Sequence, residues 1–354
     1  MENMKSLDSQ FWAGKKVMIT GHTGFKGTWL CELLLLLGAR VVGYALKPEV
    51  PSLYLLADVE SRITSYYGDI RDFQLLRDVF QKEEPEIVFH MAAQPLVRES
   101  YSNPQYTYET NVMGTVNVCE CVRISESVES FVNVTTDKVY LNREWEWGYR
   151  ENEALDGYDP YSNSKSCSEL ITHSYVRSFY DKMNISTSTA RAGNVIGGGD
   201  FAADRIIPDC VRAQISKEQI VLRNPSSIRP YQHVLDPLFA YLLIAEKQYK
   251  DKSFSGSYNV GPDEVDCIKT DDLVNLFCEY WSDGASWIAK KNDGPHEATF
   301  LKLDCSKMKF KFGWRPKWDI RKAIEKTVEW SKIYVSNGDI NECMLRQIKE
   351  FLFE

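Results

Sequence analysis

No stretch of this chain is apolar for long enough to span a bilayer. The leucine run Leu33 to Leu37 is bracketed by Glu32 and Arg40, far short of the roughly 20 residues a spanning helix needs. The N-terminus, with Glu2, Lys5 and Asp8, lacks the apolar core of a secretory signal, so the cytoplasm is the expected location and no membrane partner is expected. Cysteine is present but unorganised. The nine residues are scattered, and the closest pair, Cys119 and Cys121, has no His or Cys cluster beside it. That argues against a disulfide framework or a metal site, and for reduced thiols used as small apolar residues. Positive charge is also short, with 42 Lys and Arg against 50 Asp and Glu. A net charge of -8 argues against a nucleic-acid partner, while leaving room for a local basic pocket that holds phosphates. Repeats, low-complexity tracts and Pro/Ser-rich linkers are lacking too. At 354 residues, one compact unit of two lobes with a cleft between them is expected.

What the chain does have is glycine in a particular place. Gly21-His-Thr-Gly-Phe-Lys-Gly27 follows the apolar run Val17-Met18-Ile19-Thr20 and opens into Thr28-Trp-Leu-Cys-Glu-Leu. Strand, glycine turn and helix are the context of a dinucleotide site. Gly21 permits the tight turn, Gly24 lets backbone approach a pyrophosphate, and Gly27 lets helix pack close to strand. Phosphates then meet the free N–H groups and the dipole at the helix N-terminus. His22 and Lys26 within the turn read equally well as solvated loop residues.

About 140 residues on stands Tyr161-Ser-Asn-Ser-Lys165. One helical turn separates the tyrosine from the lysine, so both lie on one face. An ammonium near a phenol favours the phenolate, making an acid/base able to work near neutrality. Such a pair alone is mostly coincidence; behind a glycine turn it is a strong signal.

The first half alternates strands (Lys16–Thr20, Arg40–Ala45, 63–67, Ile87–His90, 131–134, 186–191) with helices (27–37, 73–82, 104–125, 161–180). That pattern predicts an α/β fold, a Rossmann-type doubly wound parallel sheet with a smaller α/β C-terminal substrate lobe. Asp72 is placed to cap the second helix and Pro104 to start the third. Residues 1–191 with about 233–260, including a helix at 234–249, form the first lobe; residues 192–232 and 261–354 form the second. Ligands bind beyond the carboxyl ends of such strands, where Gly21–Gly27, Gly68-Asp69-Ile70, Met91-Ala92-Ala93-Gln94 and Thr135-Thr136-Asp137-Lys138 all fall. A Thr-Thr-Asp-Lys run is ordinarily a polar turn; following an apolar strand shortly before Tyr161, it reads as catalytic. Asn111 is unfavourable inside a helix, a hint of a structural or relay role. His90 and His173 read as a core residue and a helix-surface residue.

Together these residues resemble the extended short-chain dehydrogenase/reductase family, and within it the nucleotide-sugar 4,6-dehydratases, over nearly the whole chain. Lys138 in place of the glutamate of the dTDP-glucose and GDP-mannose members, with His22–Gly27 and Gln94-Pro-Leu-Val-Arg98, is most similar to the branch acting on CDP-glucose. The resemblance implies NAD as cofactor, held by Gly21, Thr23, Gly24, Phe25, Lys26, Gly27, Asp69 (an adenine contact), Ile70, Ala92, Ala93, Thr135, Tyr161 and Lys165. It implies catalysis by Thr136, Asp137 as acid, Lys138 as base or enolate stabiliser, Tyr161 and Lys165. Gln94, Arg98, Asn194, Arg205, Arg229 and His296 are the implied contacts to the nucleotide sugar, Arg229 offering a guanidinium fork to the pyrophosphate. The second strand ends Gly43-Tyr-Ala-Leu-Lys47 with no acid for a ribose hydroxyl, so NAD rests on the resemblance alone. The family also implies a homodimer or dimer of dimers, pairing helices 104–125 and 161–180 through a Val112, Val116 and Cys119 stripe or its neighbours. Another nucleotide-sugar dehydratase, a 4-epimerase and a catalytically silent dinucleotide-binding regulator are the alternatives. Asp137 argues against the epimerase, and the retained Thr136, Tyr161 and Lys165 against the regulator.

Overall fold

The computed structural model describes residues 7–290 and 300–353. Its centre is a seven-stranded sheet. Six strands are β1 (Lys16–Thr20), β2 (Arg40–Ala45), β3 (Thr64–Tyr67), β4 (Ile87–His90), β5 (Ser130–Val134) and β6 (Ser186–Ala192), and the seventh is Gly256–Val260. They run in the order Gly256–Val260, β6, β5, β4, β1, β2, β3, with every neighbouring pair parallel. Strands β4, β5 and β6 are buried at every position, as a sheet covered by helices on both faces requires. The direction in which strands are added to the sheet reverses between β1 and β4, so a crevice opens beyond their carboxyl ends.

The crossover helices lie within two residues of their expected bounds: Phe25–Leu36, Phe73–Glu83 and Leu235–Lys250. Asp72 caps the second, its Oδ1 accepting from Leu75 N at 3.0 Å. The long helices 104–124 and 160–183 each contain a π turn, at Glu109–Met113 and Val176–Tyr180. A π turn inserts one extra residue into the helix, and in the first it buries Asn111. The seventh strand was missed as a strand because Gly256 and Ser257 open it and Ser257, Tyr258, Asn259 and Val260 form no continuous apolar run. The short polar helix Val97–Ser102 was missed for want of apolar periodicity.

Beyond β6 the elements shorten. Ile220–Leu222 pairs in parallel with Trp287–Ala289, and Ile228–Pro230 pairs antiparallel with Cys267–Lys269. A separate apolar cluster that includes Ile207, Leu222, Phe277, Trp281 and Ile324 holds this part together. The helix Ile340–Phe353 then returns across the first sheet. Its Cys343, Met344, Ile348 and Phe351 join the cluster containing Trp29 and Leu33, each large side chain contributing about 1.5–3 kcal/mol by burial. Asn341 Nδ2 donates to Glu32 Oε1 at 3.2 Å and Ala57 O at 2.8 Å, tying that helix to Phe25–Leu36.

Candidate active site

A cavity of about 1360 Å³ lies between the carboxyl ends of the strands and the C-terminal elements. At one end is the glycine turn. Gly21 has φ +81, and a Cβ there would lie 2.8 Å from Ala92 N; a Cβ on Gly27 would lie 2.2 Å from Gly21 O. Gly24 caps Phe25–Leu36 without any side-chain hydrogen bond, so the first-turn N–H groups stay available to an anion. The cradle therefore fits a dinucleotide pyrophosphate. Thr23, Phe25, Lys26, Asp69, Ile70, Ala92, Ala93 and Thr135 all line the same cavity.

Two turn residues are not solvated loop residues. His22 is fully buried, with Nε2 2.9 Å from Ser65 Oγ, and burial lowers its pKa to about 4. Lys26 faces the cavity and donates to Tyr241 Oη at 3.0 Å. Burial, then the neighbouring Lys165 and Arg205 charges, lower its pKa to about 7. Asp69 gives its carboxylate to Arg71, with Oδ2 2.7 Å from the guanidinium, which holds its pKa below the usual carboxylate range.

The strand β5 delivers Thr135, Thr136, Asp137 and Lys138 to the cavity opposite Tyr161 and Lys165. Asp159 caps their helix through Ser162 N at 2.9 Å, and Pro160 begins it. Asp137 is fully buried; Oδ1 accepts from Thr136 Oγ1 at 2.9 Å, and Oδ2 has no partner among the described residues. A Cβ on Gly193 would lie 2.5 Å from that Oδ2, so glycine there keeps the carboxyl open to the cavity. Lys138 is half-buried, and its ammonium pairs with no carboxylate among the described residues.

The phenol differs from expectation. Burial pushes the Tyr161 pKa up to about 12, against the lowering influence of Thr136 and Arg205. Lys165, expected to favour the phenolate, instead donates to Val134 O at 3.3 Å, and burial lowers its own pKa to about 8. Burial thus raises the phenol and lowers the ammonium, each toward its neutral form.

Over residues 18–327 the chain matches the family model described as GDP-mannose 4,6 dehydratase. The chain belongs to that family. Among curated relatives it is 47% identical to the CDP-glucose 4,6-dehydratase of Salmonella typhimurium, over 98% of each chain. Among solved structures it resembles the UDP-glucose 4-epimerase of Thermotoga maritima, with TM-score 0.78 and 22% identity over 90% of this chain and 99% of that one. The dTDP-glucose 4,6-dehydratase of Bacillus anthracis in complex with NAD gives TM-score 0.75 and 20% identity, covering 90% and 97%. At such identities these two structures bear on the fold alone.

In this member of the dehydratase family the cavity is also rich in arginine. Arg98, Arg205 and Arg229 line it as expected, and so does Asn194, whose Oδ1 is buried without a partner among the described residues. Each guanidinium is already engaged: Arg205 with Asp200 at 2.8 Å, Arg98 with Asp204 at 3.7 Å, and Arg229 with Ile228 O at 3.0 Å. Arg223, which reads as a solvated charge in the sequence, meets the same Asp204 at 2.7 Å. His296 lies outside the described residues. Gln94 does not line the cavity. Its side chain bonds Leu96 O, Leu96 N and Thr107 Oγ1, and its backbone N–H donates to Asn111 Oδ1 at 2.8 Å; it fastens the loop rather than facing a ligand. Asn111 holds this loop to Ser164 Oγ at 2.9 Å, a structural role. Cys119 is fully buried in its own subunit's core, so it cannot belong to an exposed pairing stripe.

Proposed function

We propose that this chain is an NAD-dependent CDP-glucose 4,6-dehydratase, a lyase converting CDP-D-glucose to CDP-4-keto-6-deoxy-D-glucose. The observation that carries the reading is the meeting of Thr136, Asp137, Lys138, Tyr161 and Lys165 in one cavity, in a chain 47% identical along its length to a CDP-glucose 4,6-dehydratase. Gly21, Gly24, Gly27 and the first-turn N–H groups would hold NAD, which would supply a hydride acceptor for the sugar C4 and a donor for C6.

Tyr161 takes the O4 proton, with Thr136 sharing a hydrogen bond to the same oxygen. Burial raises the phenol pKa, so activation depends on positive charge brought close to it. The resulting 4-ketone acidifies C5–H. Lys138 removes that proton or stabilises the enolate electrostatically, and Asp137, buried beside it, protonates the departing O6. Arg98, Arg205 and Arg229 hold the nucleotide diphosphate by exchanging their protein partners for phosphate oxygens. Residues 1–191 with about 233–260 serve the cofactor, and 192–232 with 261–354 serve the nucleotide sugar. The decisive assay incubates the protein with CDP-glucose: the 4-keto-6-deoxy product should form with no net accumulation of NADH. Absence of product with CDP-glucose and appearance with another nucleotide sugar would move the substrate within the family.

The functional unit of this reading is a homodimer. Met113, Ile124, Leu170 and Phe179 are exposed on the helices 104–124 and 160–183, large apolar side chains that a helix pairing between subunits would cover. The cytoplasm is the proposed location. Among the described residues no helix is long and apolar enough to cross a membrane.

A further inference from the structure

Behind the cavity lies a buried ion pair that the reaction scheme above does not use. Glu169 stands eight residues after Tyr161 and four after Lys165 on the same helix, so the three share one face. Its carboxylate, 0% exposed, accepts from Thr135 Oγ1 at 2.5 Å, Thr189 Oγ1 at 2.7 Å and Arg191 at 2.9 Å. His173 Nε2 lies 3.6 Å away. Arg191, 1% exposed, donates in turn to Tyr140 Oη at 2.8 Å and Glu151 O at 3.1 Å. Tyr140 Oη then donates to Asn259 Oδ1 on the last strand at 2.6 Å.

Thr135 immediately precedes Thr136-Asp137-Lys138, and Tyr140 follows it by two residues. Both ends of that turn are thus tied, through one ion pair, to the helix that carries Tyr161 and Lys165. Stability is a poor explanation for keeping such a pair, since well-packed apolar residues of similar volume commonly serve as well or better. A fully satisfied charged pair does fix geometry. Misplacing a reacting group by about 1 Å can cost on the order of 100-fold in rate.

We propose that Glu169 and Arg191 are positioning residues, a clamp that sets the Thr136-Asp137-Lys138 turn against Tyr161; the role rests on the dehydratase reading. Loosening the clamp moves Thr136, Asp137 and Lys138 relative to the helix and leaves Tyr161 and Lys165 on it, so oxidation loses only the shared Thr136 hydrogen bond while elimination loses the placement of both its groups. Elimination therefore suffers more than the first oxidation.

Two nearly isosteric variants test this without emptying the core. Tyr140→Phe cuts the Arg191–Tyr140–Asn259 tie, and Thr135→Val cuts the Glu169–Thr135 tie. Rapid-mixing absorbance of the reduced nicotinamide with CDP-glucose reports oxidation, and solvent-hydrogen exchange at C5 reports elimination. KM, dinucleotide binding by tryptophan fluorescence and the thermal midpoint complete the set. In Tyr140→Phe oxidation should stay within about threefold of the parent while elimination slows about tenfold or more; in Thr135→Val, which also touches the cofactor site, elimination should slow about tenfold more than oxidation does. Reduced cofactor should then build up at steady state, with KM within about twofold, and Thr135→Ser should restore the parental balance. Parallel loss of both steps, or no change in either, overturns the clamp. Glu169→Gln should give the larger effect; if it fails to fold, the two isosteric variants decide. Parental protein that leaves CDP-glucose unchanged removes the dehydratase reading, and the clamp's role with it.

Discussion

The cofactor turn has least room at Gly27, and Gly27→Ala measures how much that closeness matters. The added Cβ would lie 2.2 Å from Gly21 O, 2.7 Å from His22 Cα and 2.9 Å from Gly21 C. All three are backbone atoms, so no side-chain rotamer relieves the clash. Ordinary contact begins near 3.4 Å, so turn and helix must separate by about 1 Å. Overpacking of this kind costs about 1–3 kcal/mol, which should appear as a thermal midpoint lower by several degrees. The larger effect falls on the dinucleotide. Displacing the first-turn N–H groups by that distance forfeits at least one hydrogen bond to a charged phosphate, worth about 1.5–3 kcal/mol, or about 10- to 100-fold in affinity. Titration of the apoprotein with NAD, followed by tryptophan fluorescence, reads this directly. If Gly27→Ala binds NAD as tightly as the parent and melts at the same temperature, the close approach of helix to turn has no energetic content and the assignment of the cradle fails.

Tyr161→Phe should show little cofactor reduction at all, whereas Lys138→Ala should spare the first hydride transfer, slow C5 exchange and water loss, and accumulate reduced cofactor. Each effect should amount to about 10²–10⁴-fold, and parental turnover by Lys138→Ala would remove that lysine from the scheme. Asp236 is fully buried and its pKa is raised by burial to about 7 from an ordinary 3.8, so the folded state binds more protons than the unfolded between those values. The penalty is absent below about pH 4, grows with pH and is complete above about 7, with an upper bound on the order of 4 kcal/mol. Asp236→Asn should therefore melt higher than the parent at pH 8, with the advantage shrinking toward pH 4; a constant difference across that window counts against the burial argument. Leu170→Glu should lower the light-scattering mass to that of a single chain at micromolar concentration, and a parental protein already of monomeric mass would reject the dimer.

Features set by local sterics and spacing were readable in advance. Gly21 and Gly27 announce their turn because a Cβ at either would run into backbone, and Tyr161 and Lys165 share a face because helical geometry requires it. The strands β1, β2 and β4 are legible for a similar reason, as short apolar runs, while β3 and β6, TSYY and STSTARA, are legible only from their place in the alternation with helices. What escaped depends on partners distant in sequence. Gln94 sits in a stretch that resembles a substrate-binding motif, yet its amide is consumed by Leu96 and Thr107. Glu169 and Arg191, 22 residues apart, look like two ordinary charges until parallel pairing of β5 with β6 and the packing of the Pro160–Tyr175 helix beside them bring both behind the Thr135–Lys138 segment. The one available signal was the spacing of four and eight residues from Lys165 and Tyr161. Lys165 shows the limit of pairwise spacing: sharing a face with Tyr161 does not direct its ammonium to the phenol, and Val134 O takes it instead.

The helix Ile340–Phe353 carries a consequence for biogenesis. It covers part of Phe25–Leu36, and Asn341 meets Glu32 across 309 residues of sequence. Domains fold as they are synthesised, N-terminal parts first, but here the helix bearing the cofactor turn emerges early and waits for its apolar cover until residues 340–353 have been made. During that interval the part of Phe25–Leu36 that this helix covers is exposed. The maturation of the dinucleotide site is thereby timed by the far part of the chain, and the half-made protein is the form most in need of a chaperone.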